Sequence, residues 1–123
     1  MDTRIPGAIS QNTAGVVTVN FVGGTIKALG DFATGARVIV CIRPEEIALA
    51  RLGGKESSAG LNSFTATVAN VSSWLSHNRV ELKCEGVSVI AFVQRARFLE
   101  LALRHGDEAR VFFQPTAAHL IAT

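Results

Sequence analysis

The sequence predicts an all-β fold, a small closed β-barrel or a pair of fused barrels, with one short helix. Three observations carry this. The apolar residues fall in short runs bounded by glycine and proline, which suits strands of about four to eight residues and not helices. One stretch alone, 96–104, takes a helical spacing. A strand-then-proline corner occurs twice, at Arg43-Pro44 and at Gln114-Pro115, and closure hides the edges that many short strands would expose.

Residues 1–14 are polar and aperiodic and carry proline and glycine, so they are expected to form an exposed lead-in segment. Residues 15–123 then form the domain, in two intertwined halves, 15–50 and 62–122. Strands are expected at 16–21 and 25–29, around Val22-Gly23-Gly24, because consecutive glycines supply the positive φ of a tight hairpin. Residues 37–42 are apolar on both faces and read as a buried strand. Pro44 gives no N–H to a ladder and pushes Arg43 towards extended geometry, so the chain should turn a corner before a short strand at 47–49. Arg43 and Glu45 are expected to orient that corner, with Arg43→Ala lowering stability. The glycines and serines of 51–60 predict a surface connection between the halves.

The second half opens at Asn62 with the clearest alternation in the chain, Phe64, Ala66 and Val68 against Ser63, Thr65 and Thr67. A turn follows around Trp74-Leu75, and 79–84 alternates again. Residues 87–93 are apolar on both faces and read as a central strand. In 96–104 the spacing puts Leu99, Ala102 and Leu103 on one helix face, pairs Glu100 with Arg104 and makes Gly106 the cap. Strands at 109–114 and 119–122 close the chain. Ala36-Arg37-Val38-Ile39-Val40 matches Ala109-Arg110-Val111-Phe112-Phe113 as a weak repeat, with a slip of two residues before the second proline.

Composition excludes several classes. With 48% hydrophobic residues and 18% charged, the chain is not disordered, and no apolar run approaches the ~20 residues of a membrane span. The start lacks a signal peptide's features, which points to a cytoplasmic protein. A net charge of +2 with scattered Lys and Arg speaks against nucleic acid. Cys41 and Cys84 sit in apolar contexts and read as buried free thiols. Gly53-Gly54-Lys55-Glu56 is not a phosphate loop, because Leu49 stands where that motif needs glycine and Glu56 where it needs a hydroxyl. His77, His105 and His119 have no ligand partners at metal spacing, so no metal and no cofactor are expected. Glu45 and Glu46 point to opposite sides of an extended segment and make a poor acid and base pair. No catalytic residue is expected.

Val40-x-Ile42-Arg43-Pro44-Glu45-Glu46-Ile47, Ser57-Ser58-Ala59, Asn62, Leu101-x-Leu103-x-x-Gly106-Asp107 and the closing Phe113 to Ile121 segment occur in an order that resembles a known family. It is the transport-associated OB (TOBE) domain, the C-terminal regulatory segment of ATP-binding subunits of ABC importers. The resemblance runs from about residue 16 to 121 and is greatest to the molybdate and tungstate importers. It implies an OB-like barrel and a non-catalytic regulatory and dimerisation role, with an ATPase domain of the same subunit and a membrane permease as partners. The location implied is the cytoplasmic side of the inner membrane, reached through the transporter.

In that family a terminal Lys-Ala-Ser and a strand-opening Ser-Ala-Arg-Asn help make an oxyanion pocket between two modules. Here Gln114, Pro115 and Thr116 occupy the first motif; Leu61 takes the arginine position and Asn62 matches the asparagine, while Ser58 matches the serine if one residue is inserted. The resemblance thus implies a molybdate or tungstate site of Ser58, Asn62 and Thr116, with Arg95 or Arg97 as countercharge. Gln114 in place of lysine should cost affinity, since charge-assisted bonds are the stronger. The alternative is that these hydroxyls cap turns and Asn62 pins a strand start.

Phe112 and Phe113 support a homodimer independently. Neighbours on a strand face opposite ways, so one of them faces outwards and wants cover, and Trp74 poses the same question. Trp74, Phe112 and Phe113 are therefore the candidate dimer contacts. A second reading of the function is a stand-alone intracellular oxyanion-binding protein for storage or sensing.

Overall fold

Ten strands form two five-stranded antiparallel sheets in the computed structural model, which describes residues 3–54 and 59–123. The first has the order β10-β4-β1-β2-β3 and the second β5-β9-β6-β7-β8. The strands are β1 (Thr3–Thr13), β2 (Val16–Phe21), β3 (Gly24–Leu29), β4 (Arg37–Ile42) and β5 (Ala48–Arg51) in the first half. The second half has β6 (Asn62–Trp74), β7 (His77–Cys84), β8 (Val87–Gln94), β9 (Glu108–Phe113) and β10 (His119–Ala122), with α1 (Arg95–Leu101) before β9. β10 approaches β3 and β5 approaches β8, so each sheet curls towards closure. The fold is all-β with one short helix.

The two halves are one pattern used twice, and each lends its last strand to the other. β5 pairs with β9 and β10 pairs with β4. Thr3 stands opposite Ile42 as Asn62 stands opposite Phe113, and Ile5 opposite Val40 as Phe64 opposite Val111. Both long strands carry a bulge, between Ile9 and Gln11 and between Val68 and Asn70. Both are tied there by the same backbone pair, Ile9 with Gly35 and Ala36 and Val68 with Gly106 and Asp107. In this register Arg37 lies opposite Ala8 and Glu108 opposite Thr67. The equivalent of Arg37 is therefore Glu108, not Arg110, and the slip expected in the repeat disappears.

The structure overturns the exposed lead-in at 1–14. Residues 3–13 are β1, between β4 and β2, with Ile5 and Ile9 fully buried. Pro6 and Gly7 mask the alternation. Pro6 is tolerated because pairing with β2 begins only at Ala8, leaving that side of the strand open. At Gly7 a Cβ would lie 2.5 Å from Val19 Cγ1 and 2.7 Å from the Asn20 carbonyl, so only glycine fits.

Expectations for β8 and for the helix also change. β8 is an edge strand, buried on both faces because the first half covers its outer side, where Ile90 meets Thr3. The helix stops at Leu101, with Ala102 in the left-handed region at φ 51°. Leu101 and Leu103 are then buried while Leu99 is 71% exposed, and Glu100 pairs with Arg97 at 3.6 Å instead of with Arg104. Gly106, at φ +90°, shapes the turn into β9 and is not the helix cap.

One apolar core runs through both halves. Phe64 packs edge-on against Phe21 at 5.2 Å and Phe113 at 6.3 Å, an arrangement aromatic rings favour, and so joins the halves at their seam. Among the described residues no helix is long and apolar enough to cross a membrane.

Candidate oxyanion site

Asn62 opens β6 and is almost wholly buried. Its Oδ1 accepts a hydrogen bond from Lys27 N at 2.7 Å and its Nδ2 donates to Lys27 O at 2.8 Å. β3 is the edge of its sheet, so these backbone groups have no further strand to pair with. The side-chain amide, one acceptor and two donors, stands in for that strand. At the equivalent place in the other half, Thr3 Oγ1 accepts from Ile90 N at 3.0 Å.

The second proline corner packs on the same strand. A 3-10 turn, Pro115–Ala117, follows Gln114 and touches β3. Thr116 Oγ1 donates to Gln114 Oε1 at 3.4 Å. Glu46, Gln114, Thr116 and Ala117 line an open cleft of about 250 Å³. The cation on this strand is Lys27, whose Nζ donates to Thr18 Oγ1 at 2.9 Å. Asn62 and the turn that carries Thr116 are thus both brought against β3, with Lys27, which the sequence did not single out, as the residue whose backbone Asn62 holds. Its signal was a single lysine in an otherwise uncharged strand pair, 16–21 and 25–29. The Glu46 carboxylate in the wall of this cleft opposes an anion there.

Arg95 does not join them. It starts α1 and donates to the carbonyl of Leu75, beside the far end of β6 from Asn62, roughly 40 Å away at a strand's ordinary rise. Arg97 is on the same helix and lines a different cleft, with Phe92 and Phe112. Ser58 lies outside the described residues.

At the first corner Arg43 and Glu45 are exposed and Pro44 is buried. Backbone bonds close the turn, Glu46 N to Arg43 O at 3.0 Å and Ile47 N to Pro44 O at 3.3 Å. Arg43 has φ −74° and ψ 141°, Gln114 φ −73° and ψ 147°. Two such different side chains in one geometry assign the corner to proline and backbone, not to the Arg43 and Glu45 charges.

Of the dimer candidates, Phe113 is interior, 2% exposed against Phe64. Phe112 is half-buried on the outer face, and Trp74 is 61% exposed. Among the described residues no group of three or more His, Cys, Asp or Glu could hold a metal. Cys41 and Cys84 are free and buried. Burial, and then the Glu85 carboxylate, push the Cys84 thiol above its ordinary pKa.

The architecture is a duplicated, strand-exchanged barrel with a proline corner in each half. The TOBE domain family matches residues 40–121, and the chain belongs to it. Two relatives are the molybdate/tungstate import ATP-binding proteins WtpC of Pyrococcus horikoshii and Pyrococcus abyssi. The first is 32% identical over 84 residues, 68% of this chain and 24% of the relative. The second is 33% identical over 92 residues, 75% of this chain and 26% of the relative. The chain thus spans about a quarter of the length of these curated relatives. Among solved structures, the cytoplasmic molybdate-binding protein ModG with molybdate bound matches with a TM-score of 0.79 and 21% identity. That match covers 95% of this chain and 93% of the other. At this identity the likeness shows the fold.

Proposed function

We propose that the chain works by binding and not by catalysis, as an oxyanion-responsive regulatory module of an importer's ATP-binding subunit, with molybdate or tungstate as its ligand. The observation that carries this reading is the sequence similarity to the two WtpC proteins, which falls on a chain folded like ModG from end to end. In this reading the ATPase domain of the subunit and a membrane permease are the partners, at the cytoplasmic face of the membrane.

In this reading the ligand sits at the second proline corner. The cleft of Gln114 and Thr116 is open, so a single copy offers donors from one side only. A homodimer, in which a second copy closes this corner, completes the coordination, with Lys27 as the cation. A tetrahedral dianion accepts from hydroxyl, amide and backbone N–H donors as well as from full charges.

A second reading is favoured by one observation. The match to ModG covers nearly the whole of both chains, as a stand-alone oxyanion-binding protein for storage or sensing would. An ATP-hydrolysing domain in the same reading frame decides for the importer.

Sedimentation of the chain with and without molybdate, tungstate and sulfate tests the proposal. Molybdate or tungstate should be retained and should move monomer towards dimer, sulfate less so. A monomer at every concentration, with no anion retained, would leave only a structural role.

A further inference from the structure

The outer face of the second half carries an apolar strip rimmed by arginines that the oxyanion reading does not use. The Trp74 ring packs at 5.9 Å and 41° on Phe92. Phe92 and Phe112 line a cleft of about 210 Å³ together with Ala48, Leu49 and Arg97. Arg79 sits directly opposite Phe92 in register, so the two side chains share a face. Arg110 lies over the Phe112 ring at 5.8 Å, and Arg95 is held at the carbonyl of Leu75, a residue 84% exposed. The acids beside them are Glu100, on Arg97 at 3.6 Å, and Glu81, two residues along β7 from Arg79 and paired with Lys83 at 3.6 Å.

The barrel does not require this strip. By the repeat, Leu29 stands in the first half where Phe92 stands in the second and Cys41 where Phe112 stands, while Trp74 lies in the part of the β6–β7 hairpin that runs two residues beyond the pair equivalent to Thr13 and Val16. Aromatic residues and arginines around a cleft that can be dried are what the energetic centres of protein interfaces are made of. The cleft is smaller than the ~300–1,000 Å³ of a small-molecule pocket and suits an inserted side chain.

Charge selects the occupant. A second copy placed face to face across a twofold axis would set arginine against arginine. Single-stranded nucleic acid needs open ring faces to stack on. Here Trp74 packs on Phe92 and Arg110 on Phe112, which leaves Trp74 alone of the three rings open and no row of platforms for successive bases. We infer that this face docks an acidic protein segment, which inserts an apolar side chain between Phe92 and Phe112 while its carboxylates pair with Arg79, Arg95 and Arg97.

Trp74 is the sole tryptophan and reports directly on the face. The full chain is titrated with a peptide alternating Glu and Leu, with the same peptide carrying Lys for Glu, with one carrying Ser for Leu, and with an oligothymidylate of equal charge. The Glu and Leu peptide should shift Trp74 emission to the blue, saturably, and should weaken about tenfold or more at high salt. Arg97→Glu, on a part-exposed helix position, should weaken it similarly and gain binding of the Lys peptide. Phe112→Ala should weaken the Glu and Leu peptide while keeping its salt dependence. The inference is overturned by failure of that peptide to bind at millimolar concentration, by equal binding of the Ser peptide, or by saturation with the oligothymidylate alone. It is overturned equally by a blue shift that grows with protein concentration alone, which would report self-association.

Discussion

Asn62 holds the backbone of Lys27 at both ends of one amide, accepting from its N–H at 2.7 Å and donating to its carbonyl at 2.8 Å. The contact bridges the first strand of one half and the third strand of the other. Thr3 and Ile90 repeat it with a single bond. Asn62→Ala should therefore cost about 2–3 kcal/mol in urea denaturation, the loss of two bonds plus two backbone groups left without partners. Thr3→Val should cost about 1 kcal/mol. Equal costs would contradict the pairing described.

The elements legible in the sequence are those set by local chemistry. The hairpin at Val22-Gly23-Gly24, the buried strand at 37–42 and the alternation after Asn62 depend on turn residues and period, and each is present. What failed depends on distant partners. β1 was masked by Pro6 and Gly7, whose fit is decided by β2. The burial of β8 on both faces comes from the first half, and the exchange of β5 and β10 between sheets has no local signature. Of the residues singled out in the sequence, Asn62 and the turn of Thr116 both meet β3, where Lys27 is held through its backbone, whereas Arg95 lies at the other end of β6.

Gly7→Ala should destabilise the protein by about 1–3 kcal/mol, as overpacking does, because Val19 Cγ1 and the Asn20 carbonyl occupy the space a methyl group needs. Ala14→Gly, at a positive φ of 52° on an open turn, should be neutral or mildly stabilising in the same denaturation assay.

Arg43→Ala should change stability by no more than about 0.5 kcal/mol, the usual range for an exposed side chain. Pro44→Ala should cost more, because it loosens the corner in the unfolded chain and removes a buried ring. Thermal melts of the two variants separate a corner made by proline from one made by charge.

The raised pKa of Cys84 gives stability a definite slope with pH. The folded chain holds the thiol proton more tightly than the unfolded chain does. The contribution is therefore complete below the ordinary thiol value and is lost as pH rises through the folded one. Denaturation midpoints of the native protein should fall in the alkaline range more steeply than those of Cys84→Ala. Parallel profiles would contradict the shift.

Calorimetric titration with molybdate, tungstate and sulfate, of the native chain beside Lys27→Met, tests the central claim most directly. Saturable heat with molybdate and tungstate, less with sulfate, and about a tenfold weaker affinity in Lys27→Met with the fold intact, is the predicted result. No heat with any of the three anions, or undiminished affinity without the lysine, would contradict an oxyanion site at this corner.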